Sequence, residues 1–161
     1  MDTQYKADLE QVLGQMQPRS VLCLGAPCAS AVQEYVAAAP GRLTQHVAEP
    51  PQTLERYDLV IVAGLLERLE KSRGEQLLAW LRDLQGGRFL VLVPIGPRPH
   101  QLSQWEGNEL LALGLVLAGR YPGAEGECHL YRYDLNNYKT VPDWFNARFW
   151  AHPERWDKDF W

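Results

Sequence analysis

Few residues in this chain combine the type and the spacing that chemistry needs. The four histidines, His46, His100, His129 and His152, form no HxxxH pair, and the three cysteines, Cys23, Cys28 and Cys128, form no CxxC. No metal site is expected from such spacing. His100 stands beside Arg98 in a proline-rich loop and is the best histidine for proton transfer, with a solvated loop residue as the plainer alternative. Cys28 falls near the start of an expected helix, where the dipole would lower a thiol pKa. A nucleophilic cysteine also needs a base, and only His46 or His100 is on offer. A small buried residue is the simpler reading of Cys28, and Cys23 reads as core. Glu67 and Arg68 follow the strongest apolar run. They either meet a ligand or form an exposed pair flanking Leu66 and Leu69. No Ser/His/Asp triad, phosphate loop or paired-carboxylate motif can be assembled.

These residues need elements to hold them. Tyr5, Leu9, Val12, Leu13 and Met16 recur at helical spacing, so residues 3–16 read as an amphipathic helix capped by Thr3 and stopped by Pro18. Ser20–Leu24 is a short buried strand ending at Gly25, and residues 28–38 read as helix. Pro27 either sits at the first helical position, where a lost N–H costs little, or shapes a ligand loop at a helix N-terminus. Leu43–Val47 is a weak strand. Tyr57–Ala63 is a continuous β-branched run, as in a strand buried on both faces. Ser72-Arg73-Gly74-Glu75 reads as a capping box opening a helix with Leu77, Leu78, Leu81 and Leu84 on one side. Arg88–Val93 is a second buried strand ended by Pro94. Ser103-Gln104-Trp105-Glu106 reads as another capping box. Residues 115–121 and 128–135 read as an antiparallel hairpin. Strands alternating with helices define a mostly parallel sheet with helices on both faces. Ligands in such sheets lie beyond the carboxyl ends of the strands, here Gly25 to Ala29, Gly64 to Arg68 and Pro94 to His100.

The 161 residues suffice for one domain, and 46% apolar with 22% charged residues is the balance of a globular chain. No apolar run reaches the roughly 18 residues of a membrane helix. A net charge of −4 argues against a coat for nucleic acid. The polar N-terminus shows no signal pattern, and three scattered cysteines form no disulfide framework, so a reducing cytoplasm is the expected compartment.

The order of these pieces resembles the class I S-adenosylmethionine-dependent methyltransferase fold. Val21-Leu22-Cys23-Leu24-Gly25 sits where that family has its glycine-rich first motif. Tyr57-Asp58-Leu59-Val60 followed by Leu66-Glu67-Arg68-Leu69 resembles its fourth strand and Leu-Glu-His-Leu loop. Leu81 through Pro94 resembles its fifth-strand unit, and Glu109 to Leu115 the helix leading into the terminal hairpin. The resemblance implies a Rossmann-like sheet, and a cofactor site at Gly25, Ala26, Pro27, Cys28, Glu49, Gly64, Glu67 and Pro94. Only ten residues separate Val47 from Asp58, so the family's third strand and its helix have no room.

The departures from the family bear on function. The first motif keeps one glycine, Gly25. Pro27 offers no N–H, fixes its own φ and restricts Ala26. Cys23 stands where the family has an acid for the ligand's ammonium group. Glu49, the nearest candidate for the ribose acid, is followed by two prolines. The expectation is a degenerate methyltransferase-like domain that acts by binding a protein or ligand, with S-adenosylmethionine disfavoured. The alternatives are an active methyltransferase with an altered cofactor loop, and a small-ligand-binding α/β domain.

Four of six tryptophans fall in the last eighteen residues, so residues 1–137 read as the domain and 138–161 as an aromatic tail. Val141 to Trp156 resembles the tail of a small uncharacterised bacterial family. Trp144, Phe149, Trp150, Trp156 and Trp161 either pack on the domain or form a surface for a protein partner or a second copy. Stacking on single-stranded nucleic acid fits poorly, because four basic and four acidic residues balance from Lys139 onward.

Overall fold

Buried β-branched runs and amphipathic stretches alternate along the chain, and each strand needs a helix on either face to hide it. The computed structural model describes residues 2–50, 56–84 and 88–135, excluding the side chains of Asp2, Thr3 and Leu84. The elements are α1 (Asp2–Met16), β1 (Ser20–Gly25), α2 (Ser30–Ala37), β2 (Leu43–Val47), β3 (Leu59–Ala63), a 3-10 turn (Leu66–Arg68), α3 (Lys71–Leu84), β4 (Arg88–Pro94), α4 (Gly107–Ala112), β5 (Val116–Gly123) and β6 (Gly126–Asp134).

The strands form one sheet in the order β2-β1-β3-β4-β6-β5. β2, β1, β3 and β4 are parallel, and β6 returns antiparallel beside β4 with β5 antiparallel at its edge. The chain leaves β1 for β2 on one side and then passes to β3 on the other. The switch in strand order therefore falls between β1 and β3. The expected central strands, Val21–Leu24, Val60–Val62 and Phe89–Val93, are adjacent and parallel.

Side-chain alternation divides the core in two. Leu22, Leu24, Val60, Val62, Phe89 and Val91 face α3, where they meet Leu77, Leu78 and Leu81. Val21, Cys23, Leu59, Ile61 and Leu90 face α1 and α2, where they meet Leu9, Leu13 and Val32. Leu9 and Leu13 are wholly buried, and each such side chain stabilises by about 1.5–3 kcal/mol. β2 is the exception: Leu43, Thr44, Gln45 and His46 are exposed on an uncovered edge.

Several element ends differ from the sequence expectation. α3 begins at Lys71, so Ser72 lies inside it and does not cap it. α1 begins before Thr3, which is likewise interior. α4 begins at Gly107 with Glu106 as its cap, and Glu106 and Glu109 form the reciprocal box. Ser103 works elsewhere: its buried hydroxyl donates to the Leu66 carbonyl at 2.8 Å and accepts the Trp105 Nε1 proton at 3.0 Å. Trp105 precedes α4 as a fully buried anchor, with the Lys71 ammonium 3.9 Å from its ring centre. The hairpin is tighter than expected, with only Ala124 and Glu125 between its strands. The tail and the 137/138 boundary lie outside the described residues.

Candidate functional site

The carboxyl end of β1 decides what the switch point can hold. Gly25 has φ +90°, a left-handed conformation that favours glycine, and it turns the chain directly onto the end of β3. A Cβ at Gly25 would lie 2.4 Å from the Ala63 carbonyl oxygen and 2.6 Å from the Leu65 Cβ, so only glycine fits. The next amide, Ala26 N–H, donates to the Ala63 carbonyl at 2.6 Å. Gly64, with φ +61°, turns the β3 end the same way and packs beside Ala26. The β1–β3 ladder thus runs to its last pair, Gly25 and Ala63, and the two glycine turns pack against each other at its end.

The rest of the first loop folds back over the sheet. Cys23 and Cys28 form a disulfide with Cα atoms 5.4 Å apart, a normal separation for such a bond. Cys23 is core, as expected, but the bond corrects the reading of Cys28 as a small buried residue or a nucleophile beside a base. Cys23 is buried on the central strand, but Cys28 is only half-buried. The Thr44 hydroxyl lies 3.2 Å from the Cys28 sulfur. Pro27 is exposed and lies before α2, whose cap is Ala29, so it is not the first helical residue. His46 stands opposite Cys23 in the β1–β2 register, with its Nε2 3.0 Å from the Gly25 carbonyl oxygen.

Beneath this loop lies a cavity of about 120 Å³, lined mainly by apolar groups of Tyr5, Leu9, Pro27, Cys28, Ile61 and Leu92. Burial pushes the Tyr5 phenol up to about 12, so it stays neutral. Pockets for cofactor-sized ligands run to roughly 300–1,000 Å³, well above this. A larger cleft of about 380 Å³ lies between α1 and β5, among Asp8, Gln11, Gln15 and Arg132. None of its lining residues belongs to the loops at the carboxyl edge.

A polar group gathers farther along that edge. Glu67, in the 3-10 turn, has a buried Oε2 without a hydrogen-bond partner, and so has the Nε of Arg98 in the loop after β4. Burial raises the Glu67 pKa, opposed by its own backbone N–H and by the charges of Arg68 and Arg98. Arg98 Nη2 donates to the Glu127 carbonyl at 2.7 Å. Glu127, His129 and Tyr131 follow on one face of β6. His129 Nε2 is 2.9 Å from Glu127 Oε2, and its Nδ1 is 3.1 Å from the Tyr131 hydroxyl. The hydrogen bond from His129 holds the Glu127 carboxyl below its usual range. Both ring nitrogens of this buried histidine are occupied, which fixes the ring but leaves no nitrogen open for a substrate. His129 was not among the candidates from sequence. Its signal was the period-two spacing of Glu127, His129 and Tyr131.

The other candidates are dispersed. His100 is exposed, with φ 65°, at the far end of the Arg98 loop. Glu49 is exposed beyond β2, on the same side of the sheet order as His46. Pro94 is buried as the last residue of β4, paired with Cys128. Arg68 Nη2 donates to the Ala48 carbonyl at 3.3 Å and does not pair with Glu67. Among the described residues, no cluster of histidine, cysteine and carboxylate could hold a metal ion. No helix among them is long and apolar enough to cross a membrane.

This sheet order, with its parallel strands and terminal hairpin, defines a methyltransferase-like α/β fold. Solved structures share it. Magnesium protoporphyrin IX methyltransferase from Synechocystis PCC 6803 with bound SAH is similar at TM-score 0.61 and 13% identity, over 81% of this chain and 82% of that one. The N-terminal domain of EvdMO1 with SAH bound is similar at TM-score 0.52 and 16% identity, over 80% of each chain. The methyltransferase domain of bacterial CtHen1 is similar at TM-score 0.50 and 13% identity, over 82% of this chain and 98% of that one. Identities this low speak to the fold alone. No curated protein matches the sequence. Over residues 3–161 the chain belongs to the family of unknown function DUF6231.

Proposed function

We propose that this chain is a methyltransferase-fold domain that has given up the usual cofactor site and acts by binding. The tight turn at Gly25 carries the reading, because it brings the loop after β1 against Ala63, Gly64 and Leu65 at the switch point, where ligands of this architecture bind. Three further features support it. The loop is folded back by the Cys23–Cys28 disulfide, its Pro27 has no N–H to offer, and the cavity beneath is about 120 Å³. Calorimetric titration with S-adenosylmethionine and S-adenosylhomocysteine tests this directly. Flat heats are expected, and a low-micromolar dissociation constant would overturn the proposal.

The binding partner we propose is a protein or a second copy, engaged through Trp144, Phe149, Trp150, Trp156 and Trp161, whose type and density suit an interface. A chain ending at Asn137 should stay folded and lose association, whereas a monomeric full-length chain with no partner would count against it. A second reading is favoured by the unpartnered Glu67 Oε2 and Arg98 Nε: a small ligand with one donor and one acceptor would satisfy both. An E67Q/R98Q variant should then lose that ligand without losing the fold.

A further inference from the structure

We infer that the Cys23–Cys28 disulfide is a reversible redox site, with Cys28 the sulfur that exchanges with an external dithiol. This goes beyond the binding role proposed above and does not depend on it. The two sulfurs are unequal. Cys23 is 2% exposed on a central strand and packed against α1 and α2, while Cys28 is half-buried on the loop that follows, and both line the small cavity. An incoming thiolate must attack along the disulfide axis, and Cys28 is the more exposed of the two residues.

The bond also adds little that the fold lacks. It joins residues only five apart, so the loop it closes is short. The same stretch is already tied by Ala26 N–H to Ala63, by Gln33 Nε2 to the Cys28 carbonyl at 3.0 Å, and by the Val32 and Gln33 amides to the Ala29 carbonyl. A structural staple would be expected to join distant elements. This one couples the redox state to a single loop, at the edge of the sheet where ligands of this architecture bind.

The exchange balances with a dithiol as reductant. One thiolate of the dithiol attacks the Cys28 sulfur, forming a mixed disulfide, and Cys23 departs as a thiolate that takes up a proton. The second thiol of the reductant, as thiolate, then attacks its own sulfur of the mixed disulfide, and Cys28 leaves and is protonated. The protein gains two electrons and two protons, and the dithiol becomes a disulfide. Burial of Cys23 in apolar surroundings makes it a poor leaving thiolate, so both directions are slow. The geometry suits a switch set by the prevailing redox state more than a turnover catalyst.

The test uses the full chain carrying Cys128→Ala, so that only this pair reports. Native oxidised protein is incubated with dithiothreitol, quenched by alkylation and weighed by mass spectrometry. Full reduction without denaturant is expected, with return of the bond on removal of the reductant. Incubation with glutathione and peptide mapping should place the mixed disulfide on Cys28. In single variants, Cys28 in Cys23→Ser should react with an aromatic disulfide at least tenfold faster than Cys23 in Cys28→Ser. A bond that opens only in denaturant, or glutathione found on Cys23, would overturn the inference. Should either single variant fail to fold, the glutathione mapping on the paired chain decides alone.

Discussion

Gly25→Ala tests whether the β1 turn is truly packed onto β3. The added methyl meets the Ala63 oxygen at 2.4 Å and the Leu65 Cβ at 2.6 Å, and neither belongs to a flexible side-chain end. The backbone there has φ +90°, which costs an L-residue about 1–2 kcal/mol by itself. Forcing an extra carbon into a filled site adds roughly 1–3 kcal/mol. The sum is on the order of 3 kcal/mol. Gly41→Ala supplies the control, since φ there is +84° and nothing lies within 4 Å of where its methyl would sit. Gly41→Ala should therefore lose only the conformational part. Denaturant unfolding of both variants, with matching slopes, gives the difference directly. An excess loss of about 1–3 kcal/mol at Gly25 is expected. Equal losses would mean that the β1 turn stands clear of β3, refuting the reasoning.

Two further outcomes are expected. Ser103→Ala removes the acceptor of the Trp105 indole proton and the donor to the Leu66 carbonyl, both buried, and should cost about 1–3 kcal/mol in the same assay; a loss below a few tenths would show that these bonds are not formed. Glu67→Gln should stabilise the chain as pH rises. Burial raises the Glu67 pKa in the folded state, so folding favours its protonated form, and the native carboxylate loses stability as pH climbs from the ordinary carboxylate range through the raised value. The gain from Gln should be present near pH 8 and absent near pH 4; the reverse trend in denaturation midpoints would contradict the burial argument.

The sheet was legible because its central strands are unusual in sequence. Leu59–Val62 and Phe89–Val93 are apolar without interruption, a pattern that only two-sided burial explains, and the short span between Val47 and Asp58 left no room for the family's extra strand. The helix starts were less so. Ser72 and Ser103 each precede an acid at capping-box spacing, but the Ser103 hydroxyl is used in tertiary contact with Leu66 and Trp105, which local spacing does not reveal. The candidate site was legible in part. That Gly25, Gly64 and Pro94 stand at the carboxyl ends of β1, β3 and β4 followed from the pattern of strands. The Cys23–Cys28 bond depends on that loop folding back over its own strand, a three-dimensional fact with no signal in spacing. The electrostatic coupling of Glu67 to Arg98 joins two loops at the sheet edge and was equally hidden.

Hydrogen exchange and chemical shift of the Ala26 amide, at the switch point, give the most direct test of the central claim that no cofactor of the S-adenosylmethionine type binds there. Its proton is bonded to the Ala63 carbonyl, a strong position at 2.6 Å. In oxidised full-length protein the Ala26 amide should be protected to the level of the β1 and β3 strand amides, and saturating S-adenosylhomocysteine should leave both its exchange rate and its chemical shift unchanged. Free exchange at Ala26, or a shift that titrates with the added nucleoside, would contradict the account.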